Sequence, residues 1–382
     1  MTITLVKLKS IRITPPPEHW RRQLVKLPFL LLFPLALWLK ELGASNNAFI
    51  EKYYSTGIYP VISQAVNFLF GWIPFSMAEI ALYTGSAGIV FYVLWQIVLL
   101  FAKKERLNRV FKVVVNLALI ASLGYFLFIG MWGLNYYREP LASTLGYNVT
   151  PRVVSELKSL CVSLAKDANA LRPQLKQDLH GYLELTEGKQ ENLKKVPLAY
   201  AELSKKFPLF KANYSPSKPV WMSKKMSYTN NQGIFIPFTM EPNINMDMPD
   251  AFFPSTVCHE AAHLYGFARE DEANFLSYMA CMASGDPELQ YSGTLLALVM
   301  SMNALSSNSP DDYTQIYKTY SKGVARDLWY QDVYWDQFKG PVAEASTNMN
   351  NTYLKSNKQA DGVKSYGRMV DLLLAMKASE GN

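Results

Sequence analysis

The run from Met77 to Phe101 carries Glu79 as its only charge. About 20 consecutive apolar residues cross a bilayer as a helix, so this run is expected to span a membrane. Val113 to Trp132 reads the same way. Leu27 to Leu39 is also uncharged and, extended to Gly43, reaches a marginal spanning length. It could instead be a signal-peptide core, but no convincing small-residue cleavage site follows and more spans come later, so an uncleaved anchor is the expectation. Expected spans are therefore 27–43, 77–101 and 113–132, with an aromatic stretch at 46–74. Two prolines and two glycines interrupt that stretch, which contains Tyr53, Tyr54, Tyr59 and Trp72. Its expected place is the membrane surface, where aromatic rings are favoured.

Charge orients the spans. Lys7, Lys9, Arg12, Arg21, Arg22 and Lys26 crowd the tail at 1–26, and Lys103, Lys104, Arg106, Arg109 and Lys112 follow the second span. Basic flanks stay in the cytoplasm. Three crossings then place residues 135–382 outside the cytoplasm. The same reasoning accounts for the net charge of +7 without nucleic acid. Almost no intramembrane charge is present to line a transport path.

Beyond the spans the sequence reads as one mostly helical domain with a small sheet. Val154, Leu157, Leu160, Cys161, Leu164, Ala168 and Leu171 fall at helical spacing, and Pro151 to Leu203 is expected as helix. Gly233 to Phe238 reads as a short strand. Ser292 to Leu305 is apolar but too short to cross a bilayer, so a buried core helix is expected. Cys161, Cys258 and Cys281 have no metal-like spacing and give no disulfide framework. Cys258 is expected as a buried thiol.

The chemistry is concentrated in His259-Glu260-Ala261-Ala262-His263. Residues four apart on a helix share a face, so His259 and His263 can offer two imidazoles to one ion. Glu260 lies about 100° round the helix, within reach of a water on that ion. This is the HExxH arrangement of zinc hydrolases. Gly266 can take the left-handed conformation that ends a helix and turns the chain back. An acidic helix start then follows at Glu270-Asp271-Glu272. A catalytic zinc needs three protein ligands and an open position. His19 and His180 carry no motif, so the third ligand is expected to be a carboxylate: Glu270, with Glu272 in reserve. Asn274, one turn on from Glu270, can hydrogen-bond a ligand histidine.

Glu270-x-x-Ala273-Asn274 after the HExxH block resembles the gluzincin pattern of thermolysin-like and Ste24-like peptidases, though the spacing is tighter than in most of them. The place of Gly266 is similar to that in metzincins, but their third histidine would fall at Arg269, which cannot bind metal. Over nearly the whole chain the sequence resembles the uncharacterised bacterial membrane family numbered 3810 among domains of unknown function. The blocks that carry this are Tyr54-Ser55-x-Gly57-Ile58-Tyr59-Pro60, Gly71-Trp72-Ile73-Pro74-Phe75-Ser76, Pro237-Phe238-Thr239, HEAAH, EDEAN, Tyr291-Ser292-Gly293 and Tyr353-Leu354-Lys355. The resemblance implies a membrane-anchored, zincin-like metallopeptidase architecture and names no substrate. By resemblance to zinc peptidases, the strand ending at Phe238 would lie beside the metal helix and pair with an extended substrate.

The expectation is thus a membrane-anchored α+β protein holding Zn2+ on His259, His263 and Glu270, with Glu260 as general base for peptide hydrolysis. Its substrate is an unidentified protein or peptide. The oxyanion donor is left open among Tyr291, Arg326, Tyr353 and Tyr366. The alternative is a non-catalytic membrane sensor or assembly factor with a structural or vestigial zinc site.

Overall fold

The computed structural model describes residues 23–102, 106–357, 359 and 368–380. The basic tail up to Arg22, with His19, and Lys103, Lys104 and Tyr366 lie outside the described residues.

Helix α1 (Leu32–Ser45, entered through a 3-10 turn at Leu27–Leu31), α2 (Tyr59–Phe70), α3 (Met77–Ala102) and α4 (Arg106–Met131) make up the first third. Three segments, Leu27–Ser45, Met77–Phe101 and Arg106–Met131, are long and apolar enough to cross a membrane, and only 11, 6 and 17% of their most hydrophobic windows is buried. Helices apolar all round with so little covered are suited to lipid. The third begins seven residues before the expected Val113, so Arg106, Arg109 and Lys112 ride on its first turns rather than in a loop. No glycine or proline interrupts that stretch, and Arg and Lys are good helix formers.

The chain divides into two units, one of residues 1–38 with 86–127 and one of residues 39–85 with 128–382. In the first, Lys26 Nζ donates to Asn116 Oδ1 (2.8 Å), and Asn116 Nδ2 donates to Tyr92 OH (2.7 Å). Ser122 Oγ donates to the Phe29 carbonyl (3.2 Å).

The second unit carries everything else. Its first element differs from expectation: Asn47–Phe49, the π-helical turns Ile50–Ile58 and α2 run on as continuous helix through the stretch expected to be broken. The wider π turns make room for the Pro60 ring, and the N–H that proline lacks falls in the first turn of α2. One face is buried, through Tyr54, Tyr59, Ser63 and Asn67. Ser63 shares a 2.7 Å hydrogen bond with Tyr214, and Asn67 Oδ1 accepts from Ser215 N (2.9 Å). The other face leaves Ile58, Val61, Phe68 and Leu69 exposed.

The main body is built from α5 (Val154–Leu171), α6 (Gly188–Lys206), α7 (Ser223–Tyr228), α8 (Phe253–Leu264), α9 (Glu270–Ala283), α10 (Pro287–Asn308), α11 (Pro310–Tyr317), α12 (Lys322–Asp336), α13 (Pro341–Ser356) and α14 (Met369–Glu380). The helical stretch expected over Pro151–Leu203, with a solvated turn near His180, forms two helices. Pro173 follows α5, and Arg172 is drawn into a buried pair with Asp327 (2.5 Å) that also receives the Leu183 N–H. A sheet of β1 (Lys218–Pro219), β2 (Gly233–Ile236) and β3 (Glu241–Ile244) has the order β1-β3-β2, with β2 antiparallel to β3 and on the edge. Helix α8 packs against β2 and β3 on one side and against α9, α10 and α6 on the others. Val257, Cys258, Ala261 and Ala262 enter a core shared with Phe275, Leu276 and Leu298. Cys258 Sγ and Cys281 Sγ lie 3.6 Å apart as buried free thiols that link α8 to α9. Helix α10, wider than the expected 292–305, is buried along most of its length.

Candidate metal centre and cleft

Helix α8 begins with Pro254 in its first turn and ends in a Schellman turn. Gly266 has φ +85°; its N–H donates to the His263 carbonyl (2.9 Å), and Phe267 N–H donates to Ala262 (3.2 Å). This turn places the Phe267 carbonyl against His263, whose Nδ1 lies 2.7 Å from it. A carbonyl only accepts, so Nδ1 is a donor, and Nε2 is the nitrogen turned toward the cluster. His259 Nδ1 sits 2.7 Å from Asn274 Oδ1, which orients the ring so that its Nε2 faces His263 and Glu270.

The turn also brings α9 back alongside. Glu270 Oε2 lies 3.1 Å from His259 Nε2 and 3.6 Å from His263 Nε2, and the two Nε2 atoms are 3.2 Å apart. Glu270 Oε2 is buried and accepts no hydrogen bond from the described residues. Two imidazole nitrogens and a carboxylate oxygen thus converge on one point, an arrangement that needs a cation or a shared proton between them. Zinc bonds of about 2.0–2.1 Å in a tetrahedron set neighbouring ligand atoms about 3.3 Å apart. The observed triangle fits that ion. His259, His263 and Glu270 are the group among the described residues that could hold a metal.

Charge within the cluster follows the same geometry. Burial pulls the His263 imidazole down, but Glu270 and Glu260 outweigh it and carry its pKa up to about 9. Burial raises Glu270, yet the two histidines win and hold its carboxyl well below the usual range. Glu260 is raised, because burial outweighs the pull of His259 and His263.

Glu260 sits against the edge strand. It accepts a hydrogen bond from the Phe235 backbone. A Cβ at Gly233 would stand 2.5 Å from Glu260 Cγ and 2.7 Å from its Oε1, so only glycine lets the strand come this close. His259 and Glu260 open onto a cleft of about 690 Å³. Thr229 to Gly233 form one rim, and Met300, Asn303, Trp335 and Asn350 belong to the opposite walls on α10, α12 and α13. Among the described residues, no lysine or arginine lines it.

Glu272, the reserve ligand, is engaged elsewhere. Its Oε1 accepts from Leu141 N and from Arg269 Nη1, both at 2.8 Å. Two positions along a helix from Glu270, it points to a different side. Tyr291 donates to Asp327 (2.7 Å) and Arg326 to the Gly181 carbonyl (3.1 Å), and neither lines the cleft. Tyr353 is closer to the site. Burial and then the Glu270 charge raise its pKa, and its hydroxyl accepts from Tyr136 (3.0 Å).

Sequence reasoning missed the supports behind His263. Trp132 Nε1 donates to the His263 carbonyl (3.2 Å), Tyr59 OH to Leu264 (2.9 Å), and Arg138 Nη1 to Gly266 (3.0 Å). The end of α8 is capped by side chains from the segments flanking the apolar helices. Trp132 and Tyr136 stand at the end of an apolar run, where aromatic residues read simply as an interfacial belt.

A family profile described as "Protein of unknown function (DUF3810)" matches residues 54–374. The chain belongs to this family. The match takes in α2 and the second half of its π turns, the second and third apolar helices, the sheet, and the two helices that carry His259, His263 and Glu270. Family membership names no activity, so the functional argument rests on the site. No curated protein and no solved structure matches the chain.

Proposed function

We propose that the chain is a membrane-bound, zinc-dependent peptidase that hydrolyses peptide bonds on the extracytoplasmic side. The observation that carries this reading is the triangle of His259 Nε2, His263 Nε2 and Glu270 Oε2, with sides of 3.1, 3.2 and 3.6 Å, next to a buried carboxylate facing a cleft. His259, His263 and Glu270 would hold the ion, which when bound supplies Lewis acidity to a carbonyl and eases deprotonation of water near neutral pH.

Glu260 would take a proton from the attacking water. The water oxygen bonds to the carbonyl carbon, the C–N bond breaks, and Glu260 returns the proton to the leaving amine. Burial moves the Glu260 carboxyl toward the working pH of a group that must both accept and donate. The outer edge of β2 is available to pair with an extended peptide. Tyr353 lies near enough for the Glu270 charge to act on it but does not line the cleft, so the donor that would stabilise the oxyanion is left open. The basic flank of the third apolar helix supports the orientation. A structural zinc site in a sensor or assembly factor would close with four protein ligands, whereas His259 and Glu260 here line a cleft.

Purified protein is expected to contain about one zinc per chain and His263→Ala to lose it. Glu260→Gln is expected to retain zinc and to stop cleavage of an unfolded protein substrate. Equal zinc in wild type and His263→Ala removes the site, and undiminished turnover by Glu260→Gln removes the base.

A further inference from the structure

We infer that the cleft acts at the bilayer surface, on extended polypeptide adjoining the substrate's own membrane anchor. The inference deepens the peptidase reading and rests on it. Consecutive membrane-crossing helices enter and return, so the start of α3 at Met77 and the end of α4 at Met131 emerge on one side. The first is tied to the sheet that borders the site and the second to the helix that carries the histidines.

At the start of α3, the Met77 and Ala78 N–H groups donate to the buried Glu241 carboxylate of β3 (3.3 and 2.8 Å), and Ser76 Oγ donates to Asn243 Oδ1 (2.5 Å). Ser76 and Glu79 have capping-box spacing, and Ser76 Oγ accepts the Glu79 N–H (2.8 Å). The Glu79 carboxylate turns outward and accepts from Trp221 N and Met222 N (2.7 and 3.0 Å). At the end of α4, Trp132 holds the His263 carbonyl, and its ring centroid lies 6.0 Å from the imidazole. The sheet and the ligand helix are therefore both fastened to the points where the chain leaves the bilayer.

The rim of the cleft follows from the same place. Trp221 is 91% exposed, and the Lys225 ammonium stands 5.9 Å from the centroid of Tyr83, in the second turn of α3. Helix α7 carries the chain from Trp221 to Thr229, where the rim begins. Six helical residues cover about 9 Å, which keeps the rim within about that distance of Trp221 and the start of α3. Trp72 and Phe68, 78 and 81% exposed on the approach to α3, are rings suited to the same interfacial layer. An extended chain rises about 3.3 Å per residue, so a scissile bond at this height lies within roughly ten residues of its anchor.

The test uses full-length protein in lipid nanodiscs. A nitroxide on Asn231→Cys, with Thr229→Cys as the second variant, is read for relaxation by nickel chelated to lipid headgroups. Strong enhancement over nickel-free discs is expected, and none at either position overturns the inference. Co-reconstituted mixed-sequence polypeptides on a single transmembrane helix, with spacers of about 5, 20 and 40 residues, are then assayed for cut position. Cuts confined to about ten residues from the anchor, at least tenfold faster than cuts in the same polypeptide without its anchor and absent in Glu260→Gln, are the expected result. Cleavage indifferent to spacer and anchor overturns this inference and leaves the peptidase reading standing. Strong relaxation with no cleavage of any polypeptide removes the peptidase reading and the substrate class with it.

Discussion

Gly233→Ala tests whether the edge strand sets the position of the base. The added Cβ would meet Glu260 Cγ at 2.5 Å, Oε1 at 2.7 Å and Cδ at 2.8 Å. Ordinary contact begins near 3.4 Å, so the carboxylate must retreat by about 0.9 Å or the strand must move outward by as much. Glu260 is buried and held by the Phe235 backbone, which leaves it little room. Displacement of a reacting group by about 1 Å costs on the order of 10²-fold in rate, and overpacking costs about 1–3 kcal/mol in stability. The expected variant keeps its zinc, melts a few degrees lower and loses about 10²-fold in kcat with little change in KM. Turnover of an unfolded protein substrate, normalised to zinc content, is the assay. Activity within twofold of wild type would refute the placement of Glu260, and loss of zinc would show that Gly233 supports the ligands instead.

Glu270→Gln is expected to lose zinc and Glu272→Gln to retain it, because Glu272 is engaged with Leu141 and Arg269; metal analysis of the two variants reversed in order would reassign the third ligand. Zinc must displace the proton that His263 carries below about 9 in the metal-free protein, so affinity is expected to rise with pH up to about 9 and then level. Calorimetry in buffers of different ionisation enthalpy should register proton release at pH 7, and its absence there contradicts the assignment. The same raised pKa makes this histidine's contribution to metal-free stability full below about 6.5, its ordinary value, and lost as pH climbs through about 9. Tyr59→Phe leaves the buried Leu264 carbonyl without its donor and should cost about 1–3 kcal/mol in a thermal or denaturant melt; an unchanged melt would mean that the cap contributes nothing.

What could be read from the residues alone was local. Apolar runs long enough to cross a membrane, the i,i+4 histidines, the left-handed Gly266 and the return of an acidic helix start all follow from short-range rules of spacing and backbone conformation. The choice between Glu270 and Glu272 also turned on local geometry, since positions two apart on α9 face different ways. Gly233, Trp132, Tyr59 and the Phe267 carbonyl were not legible as parts of the site. Each acts through a contact whose partner is remote in sequence or is a backbone group, and nothing in a glycine or a span-end tryptophan announces which atom it will meet. The stretch at 46–74 shows the same divide: its aromatic, apolar character was plain, but only tertiary packing decided that one face would be closed by Tyr214 and Ser215 and become part of the unit that carries the site. Composition specifies that surface must be buried; complementary partners elsewhere in the fold decide where.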